Sequence, residues 1–319
     1  MKKLIILAYN ESAFIKKVIE DYLGFFDEII VVNDKSRDNT ENILKQISAE
    51  QLKVKVINNK KNYGAGKSFQ IGLEEALKSD FEILVKIDGD GQFSKFDVLN
   101  IIKFAESNKV DFIKCDRFWK GGIKGKIPNI RYFGNAFASL LIKFSTSNNS
   151  ITDPLNGLFL FSHNAVKELT IPRIFNRYGY PFFINNYINK LSFEKNLNLY
   201  QYKNIVSYGE EKSNINAFLM FLKLVSFSFY GYLSLIIRKI RISQFQLSGI
   251  LDSTAIILFF LSLYCLLKAL LIRYFTFVGN QGAWIILFLF FEFLSILLIS
   301  VSRKNVQNSL PDDFKYIEI

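Results

Sequence analysis

Apolar and polar positions divide the chain into two parts of different character. From Met1 to about Tyr208, short apolar runs alternate with amphipathic stretches. The runs that predict strands are Lys3–Ala8, Glu28–Val32, Lys53–Ile57, Glu82–Ile87 and Val110–Lys114. Helical patterns lie between them, near residues 12–23, 40–50, 67–78 and 95–107. Strands that alternate with helices predict an α/β domain whose mostly parallel sheet is covered on both faces.

After Asn214 the chain becomes much more hydrophobic. Ile250–Ile272 holds two charged residues and Gly282–Ser302 holds one. Each segment is long enough to cross a hydrocarbon core, which takes about 20 helical residues. Two buried core helices are the alternative, but neither segment has a polar face. The pattern therefore predicts two transmembrane helices joined by a short turn near residues 277–281.

The segment Ile215–Ile237 is apolar with a single charge, Lys223, so it also has the length of a span. Its polar residues follow a roughly heptad stripe: Asn216, Lys223, Gly231, Ser234 and Arg238. Large apolar residues lie opposite: Phe218, Leu222, Val225, Phe229 and Ile236. This pattern favours an amphipathic helix in the membrane interface over a third span.

Flanking charges predict the orientation in the membrane. Basic residues lie on the same side of both spans: Arg238, Lys239 and Arg241 before the first, Arg303 and Lys304 after the second. The positive-inside rule then puts the α/β domain and the C-terminal tail in the cytoplasm. The apolar run Leu4–Tyr9 is too short for a secretion signal. The predicted organisation is an α/β domain at 1–213, interfacial helices at 214–245, two transmembrane helices at 246–304 and a tail at 305–319.

Glu292 lies in the middle of the second predicted span. A carboxylate at that depth is costly, so we expect it to face protein and not lipid. Two partners are possible: Lys268 of the first span, or a second subunit in a homo-oligomer. The difference in depth between Glu292 and Lys268 favours the subunit interface.

The amino-acid composition limits the kinds of partner and catalytic site that this chain can have. Lysine and arginine number 40 against 29 acids, a net charge of +11, which indicates an anionic partner. Only 22% of the residues are charged, which is typical of a folded chain. A single histidine, His163, argues strongly against a His-based metal site or a Ser-His-Asp triad, and Cys115 and Cys265 match no zinc or redox spacing. Acid–base or metal chemistry must therefore use carboxylates.

The residues that follow the predicted strands carry the candidate chemistry, because ligands of such sheets bind beyond the carboxyl ends of the strands. Asp88-Gly89-Asp90-Gly91-Gln92 follows one strand. Its two carboxylates and one amide can converge on a magnesium ion, which protein carboxylates commonly share with substrate phosphates. A simple Asp-Gly turn is the alternative, but a turn does not need three oxygen ligands.

Three further segments are candidates. Asn33-Asp34 follows the second strand, where Asp34 can accept from a ribose or a base, while Asp38–Thr40 suits a helix start. Gly64-Ala65-Gly66-Lys67 resembles part of a phosphate-binding loop, but the glycine required earlier in that motif is Lys61 here. The run Lys109–Arg131 is basic and glycine-rich, which indicates contact with anionic lipid or diphosphate rather than nucleic acid.

The ordered motifs resemble family 2 glycosyltransferases with the GT-A type fold, and in particular dolichol-phosphate mannose synthases and bacterial polyprenyl-phosphate glycosyltransferases. They are Ala8–Glu11, Ile29–Asp38, Asp88–Gln92, Cys115–Phe118, Asp153–Phe161 and Gly209–Lys212. Asn33, where the family often has an acid, and Lys35, where it often has glycine, depart from the pattern.

The resemblance implies an inverting transfer of a sugar from a nucleotide diphosphate to a polyprenyl phosphate, with a divalent metal, Mg or Mn, as cofactor. It assigns nucleotide contacts to Ala8, Tyr9, Glu11, Asp34 and Asp88. It assigns the metal to Asp90 and Gln92, and the acceptor phosphate and the leaving diphosphate to Arg117 and Arg131. A lipid phosphate is already ionised at neutral pH, so this chemistry needs no strong general base.

Two alternatives remain within the same fold. Processive polysaccharide synthases share the first half of the chain but usually carry a Gln-x-x-Arg-Trp segment, which neither Trp119 nor Trp284 belongs to. A membrane scaffold that has lost turnover is disfavoured by the intact set of Asp88, Asp90 and Gln92. GDP-mannose, UDP-glucose or another nucleotide sugar can be the donor.

Overall fold

The computed structural model describes residues 1–119, 123–124, 129–192, 194–195, 197–207, 217–275, 280–307 and 315–317. Ten helices are described: α1 Ile15–Tyr22, α2 Thr40–Glu50, α3 Ala65–Ala76, α4 Lys95–Ser107, α5 Asn129–Thr146, α6 His163–Val166, α7 Tyr180–Ser192, α8 Ala217–Arg241, α9 Gln246–Phe275 and α10 Gln281–Gln307. Two 3-10 turns lie at Arg173–Phe175 and Ser243–Phe245.

Ten strands accompany these helices in the described residues: β1 Lys2–Ala8, β2 Glu28–Asn33, β3 Val54–Asn58, β4 Ile83–Asp88, β5 Phe112–Asp116, β6 Ile123–Lys124, β7 Phe159–Phe161, β8 Leu199–Lys203, β9 Val206–Ser207 and β10 Lys315–Tyr316. Eight of them form one sheet in the order β10-β8-β5-β7-β4-β1-β2-β3. All neighbours are parallel except β7, which runs antiparallel to β4 and β5. The predicted α/β fold with a mostly parallel sheet is confirmed.

Both faces of the sheet are buried, as the near-continuous apolar run of β1 predicts for a parallel strand. Ile5 and Leu7 face one hydrophobic cluster, which includes Phe69 of α3. Leu4 and Ile6 face the other, which includes Ile19 of α1. The alternation along one strand therefore puts helices on both sides and leaves the carboxyl edge of the sheet for the candidate chemistry.

The chain divides into two compact units: Met1–Ser228 together with Asp312–Ile319, and Phe229–Pro311. The predicted domain boundary near residue 213 lies outside the described residues, so those domain limits stay a prediction. The described chain contains three helices that are long and apolar enough to cross a membrane. They are Phe218–Arg241, Ser243–Arg273 and Gln281–Val306, with mean hydropathies of 1.6, 2.5 and 2.6. The last two contain the two predicted spans.

Helices α9 and α10 pack as an antiparallel pair along a seam of small residues. On α9 this seam repeats every seventh residue and is buried: Ser248, Ala255, Ser262 and Ala269. Serines of α10 bond across it, where the Ser295 hydroxyl donates to the carbonyl of Ala255 at 2.9 Å. Small side chains let apolar helices approach closely, which is how such helices associate in lipid.

Glu292 has a partner on this seam that the sequence did not indicate. The Ser262 hydroxyl donates to Oε2 of Glu292 at 2.8 Å. Lys268, the partner considered from the sequence, instead places Nζ 5.7 Å from the ring centre of Tyr264. The intramolecular contact of Glu292 is thus a serine hydroxyl, and an oligomer stays a prediction.

The first half of α8 belongs to the α/β unit. Leu224 is buried in its core, and Phe227 packs beside it. The opposite side is apolar and exposed, with Phe218 68% and Leu219 62% exposed. This segment therefore has protein on one side and an apolar surface on the other, and whether it crosses the membrane or lies along it stays a prediction here.

Candidate active site

The loops that follow β1 and β2 are joined by hydrogen bonds. The backbone N–H of Glu11 donates to the Thr40 hydroxyl at 2.9 Å, and that of Ser12 donates to Asp38 at 3.0 Å. Burial alone would raise the pKa of Asp38, but the hydrogen bonds from Thr40 and Ser12 lower it to about 2. Lys35 adopts a φ of +60° in this connection, a left-handed conformation that glycine favours. These hydrogen bonds therefore join the loops after β1 and β2 to each other.

Three predicted nucleotide residues, Ala8, Tyr9 and Glu11, lie at the end of β1 or in the loop that follows it. Ala8 ends β1 and is buried, and its carbonyl accepts from the backbone N–H of Asp34 at 2.9 Å. Tyr9 follows it and is 39% exposed. Glu11 begins the next turn and is partly exposed. Tyr9 and Glu11 are thus accessible beside the end of β1, where an aromatic face and a carboxylate can meet a nucleoside.

Asp34 is buried, unlike Tyr9 and Glu11. It is 4% exposed, and its carboxylate accepts from Asn59 Nδ2 and from the backbone N–H groups of Tyr63 and Gly64 at 2.7–2.8 Å. These bonds hold the turn that precedes α3. In this structure Asp34 orders the loop around the site, so its predicted contact with a nucleotide would have to share the carboxylate with that turn.

Gly64 and Gly66 have a packing role at the start of α3. A Cβ on Gly66 would lie 2.0 Å from the carbonyl oxygen of Phe175, and Gly64 has a φ of +95°. The N–H groups of Gly66 and Lys67 donate to the carbonyls of Arg177 and Asn176. The N-terminus of α3 is therefore capped by this neighbouring segment. The glycines that resemble a phosphate-binding loop let two backbones approach.

Asp88, at the end of β4, pairs with a buried lysine. Nζ of Lys86 donates to Oδ1 of Asp88 at 2.7 Å, and Lys86 is fully buried while the Asp88 side chain is 34% exposed. Burial alone would lower the pKa of Lys86, but Asp88 and the neighbouring Tyr180 outweigh it and raise the pKa. Lys86 therefore stays protonated and forms an ion pair with Asp88 at the edge of the sheet.

Asp90 and Gln92 complete this loop. The backbone N–H of Gln92 donates to Oδ1 of Asp90 at 3.0 Å, and Gly91 has a φ of +72° that turns the chain between them. Asp88, Asp90 and Gln92 are all partly exposed. No group of three or more His, Cys, Asp or Glu among the described residues could hold a metal ion. Two carboxylates and an amide nevertheless fit the oxygen chemistry of magnesium, which takes one or two protein carboxylates together with substrate phosphates.

Arg117 is clamped by Asp153. Its Nε and Nη2 donate to the two carboxylate oxygens at 2.8 Å each, and its backbone N–H donates to Oδ2 at 2.9 Å. Asp153 is 1% exposed and has a φ of +41°. Burial alone would raise the pKa of Asp153, but the Arg117 guanidinium outweighs it and lowers the pKa. The pair fixes the direction of the guanidinium plane, which offers five N–H donors in all.

The turn from Asp153 to Gly157 links the two halves of the site. Asp153 binds Arg117 after β5, while a Cβ on Gly157 would lie 2.9 Å from Oδ2 of Asp88 and 3.1 Å from Nζ of Lys86. This turn therefore brings Arg117 and the Asp88 carboxylate to the same edge of the sheet. Of the other predicted residues, Arg131 lies on α5, but its side chain is outside the described residues, as are Gly209–Lys212 and Lys120.

Sequence reasoning missed Lys86, Tyr180 and the pairing of Arg117 with Asp153. Lys86 had a local signal, because a lysine two residues before Asp88 in an apolar strand points to the same face. The Arg117–Asp153 pair had none, since the two residues are far apart in the chain and meet only through the strand order.

Comparisons with known proteins agree with these features. The family model described as Glycosyl transferase family 2 matches residues 3–170, more than half of the chain. The UDP-N-acetylglucosamine--dolichyl-phosphate N-acetylglucosaminyltransferase of Methanococcus voltae is 30% identical over 180 residues, which are 52% of this chain and 71% of that protein. The dolichyl-phosphate beta-glucosyltransferase ALG5C of Trichomonas vaginalis is 27% identical over 182 residues, 52% of each chain. This chain thus spans only about half the length of the second relative.

A solved structure, residues 1–349 of TarS from S. aureus, aligns over 97% of this chain and 92% of its own. Its sequence identity is 13% and its TM-score is 0.46. The curated relatives carry more weight than this likeness.

Proposed function

Because the chain belongs to glycosyl transferase family 2, we propose that it transfers a sugar from a nucleotide-diphosphate sugar to the phosphate of a polyprenyl lipid. A phosphate oxygen of the lipid attacks the anomeric carbon, and the bond from that carbon to the diphosphate breaks on the opposite face. The product is a polyprenyl-phosphate sugar of inverted configuration, and the nucleoside diphosphate leaves. The acceptor oxygen is already deprotonated, so no side chain has to remove a proton from it.

One observation supports this reaction most directly: the turn 153–157 binds Arg117 through Asp153 and passes beside Asp88 at Gly157. An arginine and an acidic loop on one edge of the sheet suit a reaction that moves negative charge onto a leaving diphosphate. Lys86 pairs with Asp88, and Asp153 fixes the plane of Arg117. We assign Arg117, with Arg131, to the acceptor phosphate and the departing diphosphate, and Ala8, Tyr9, Glu11, Asp34 and Asp88 to the nucleotide.

A divalent metal, Mg or Mn, belongs to this proposal. Asp90 and Gln92 would hold it beside Asp88, and it would neutralise charge on the leaving diphosphate. The protein's own part is to keep these oxygen ligands on a turn whose shape Gly91 and the Gln92–Asp90 hydrogen bond define.

The acceptor and the location follow from the apolar helices and the relatives. Both relatives are named for dolichyl phosphate, which supports a lipid phosphate for this chain. One is named for UDP-N-acetylglucosamine, and we include that donor with GDP-mannose and UDP-glucose. Three helices that could span a membrane suggest insertion in the bilayer. We propose that residues 1–213 form the catalytic domain on the cytoplasmic face, with the tail on the same side.

The test is a transfer assay with purified full-length protein in lipid nanodiscs. Radiolabelled UDP-N-acetylglucosamine, UDP-glucose and GDP-mannose are each supplied with dolichyl or undecaprenyl phosphate, with and without MgCl₂ or MnCl₂. We expect one labelled lipid product with one sugar on thin-layer chromatography, formed only with lipid phosphate and metal. A ladder of longer products would support a processive enzyme instead. No transfer from any of these donors, with folded protein, would contradict the proposal.

A further inference from the structure

A basic pocket lies in the α/β unit, beside the first turns of α8. It has a volume of about 410 Å³, and its lining includes four cations: Lys61, Arg173, Arg177 and Lys223. They come from the loop after β3, from the turn before α7 and from α8. Among the residues that the structure describes, no acidic side chain lines the pocket. Of the described residues, none places a carboxylate oxygen within 4.0 Å of any of the four.

Neutral groups hold two of these cations, Arg177 and Lys223, at the pocket. Nη1 of Arg177 donates to Oδ1 of Asn62 at 3.1 Å. Nζ of Lys223 donates to the carbonyl of Tyr178 at 3.3 Å and lies 4.9 Å from the ring centre of Phe175. Four like charges that line one pocket are an electrostatic cost that a bound anion would relieve. Arginine forks suit phosphate in particular, because they donate two parallel hydrogen bonds to it.

The surroundings of the pocket are apolar and exposed, which separates a lipid phosphate from a soluble one. Ile174, between the two arginines, is 51% exposed. On α8, Phe218 and Leu222 are 68% and 45% exposed. Lys223 is five residues beyond Phe218, where the first candidate span begins, or roughly 7–8 Å along the helix. Cations beside exposed apolar side chains can meet the phosphates at a bilayer surface while the apolar groups enter its acyl region.

We propose that this pocket binds the phosphodiester of an anionic phospholipid from the membrane. The lipid phosphate would lie among Lys61, Arg173, Arg177 and Lys223, with its chains against Ile174 and the exposed face of α8. Such a site would fix the height of the α/β unit relative to the bilayer surface. This binding does not depend on the proposed transfer reaction.

The test is native mass spectrometry of the full-length protein in detergent, titrated with phosphatidylglycerol or with neutral phosphatidylcholine. Each cation near an anionic lipid contributes about 1 kcal/mol, or about fivefold in affinity. The double variant Arg173→Gln/Arg177→Gln should therefore bind phosphatidylglycerol about 25-fold more weakly and bind phosphatidylcholine as the wild type does. Both arginines are exposed, and circular dichroism verifies that the variant is folded.

Two matched variants complete the design. Arg173→Lys/Arg177→Lys keeps the charge and should retain affinity within about fivefold. Lys17→Gln/Lys103→Gln removes the same charge from exposed positions on α1 and α4 and should change nothing. Equal binding by wild type and the Arg→Gln variant, or an equal loss in the Lys17/Lys103 variant, would overturn the proposal. Displacement of the lipid by millimolar inorganic phosphate would also overturn it, because the pocket would then be a soluble-phosphate site.

Discussion

Arg117 is held by a buried carboxylate, so its structural and catalytic roles need to be measured separately. Arg117→Lys keeps the charge but loses the two-point contact with Asp153, and hydrogen bonds to charged groups contribute about 1.5–3 kcal/mol each. We expect a lower melting temperature and a KM for lipid phosphate raised about tenfold or more. Thermal unfolding and transfer kinetics on the same preparation check both.

Asp153→Asn is the matched comparison for Arg117. It weakens the clamp but leaves the guanidinium in place, so a phosphate role predicts a smaller rise in the acceptor KM than Arg117→Lys produces. If the two variants lose stability and activity in proportion, Arg117 acts through the fold alone. An unchanged acceptor KM in Arg117→Lys would remove it from the phosphate site.

Asp90 tests the metal assignment. Asp90→Asn keeps the size of the side chain and can still accept from the N–H of Gln92, but it removes a carboxylate from the proposed metal site. We expect transfer to fall by about a hundredfold or more with the melting temperature almost unchanged. Glu50→Gln, at the exposed end of α2, is the charge-matched control and should behave as wild type. Wild-type turnover in Asp90→Asn would rule out this residue as a metal ligand.

Single residues were predictable from sequence where the signal was local. The acidic loop 88–92 lies at the end of a strand because strand ends can be read from apolar runs. The buried setting of Asp34 was not predictable, because its partners Tyr63 and Gly64 come from the next connection along the chain. The same holds for Lys35, whose positive φ depends on the joined β1 and β2 loops.

At the scale of elements, the start of α3 depends on a glycine that touches a neighbouring backbone. Gly66→Ala would put a Cβ 2.0 Å from the Phe175 carbonyl oxygen, and backbone cannot move away cheaply. We expect a loss of about 1–3 kcal/mol or more in the free energy of unfolding. Gly134→Ala, on an exposed turn of α5 with nothing within 4 Å, should instead stabilise by up to about 1 kcal/mol. Denaturant unfolding of the two variants measures the contrast, and equal effects would contradict the close approach.

The α9–α10 pair depends on the small seam. Ala255→Leu inserts a large side chain at a buried position whose carbonyl accepts from Ser295 of α10, and overpacking of this kind costs about 1–3 kcal/mol. Thr254→Leu introduces the same residue one position away, on an exposed face, and should be neutral. Apparent melting temperatures in detergent compare them. A neutral Ala255→Leu would show that the helices do not pack through this seam.

Helices α9 and α10 also show that a hydrophobic pattern can predict a helix without predicting which helix packs against it. Length and apolar content predicted α9 and α10 from sequence, because crossing a bilayer is a requirement on each helix alone. The seven-residue spacing of Ser248, Ala255, Ser262 and Ala269 is present in the same sequence, but its meaning depends on which helix lies opposite. The partner of Glu292 was missed for that reason.

At the scale of the whole molecule, the sheet order β10-β8-β5-β7-β4-β1-β2-β3 could be predicted only in part. Alternating strands and helices indicate parallel neighbours, and they predicted β1 to β5 within a few residues. The antiparallel β7 and the short strands β8 and β10 have weak patterns, because strands of two to five residues carry little periodicity. The places of these strands are determined by their pairing with neighbouring strands in the folded sheet.

The return of the chain to this sheet as β10 has a consequence for counting membrane crossings. Lys315 pairs with Tyr200 of β8, and the backbone N–H of Ile317 donates to the carbonyl of Gln201. A chain that leaves one side of a bilayer and ends on the same side must cross it an even number of times. Of the three candidate spans, at most two can therefore cross, and the two with the higher mean hydropathy are α9 and α10. We therefore predict that α8 lies along the surface and that Asn280, between α9 and α10, emerges on the far side. Asn280→Cys should then react with a membrane-impermeant maleimide in intact cells, while Lys103→Cys should react only after permeabilisation, against a low background because Cys115 and Cys265 are buried. If both stay protected until permeabilisation, α8 crosses as well, and the pairing of β10 with β8 does not hold in the membrane.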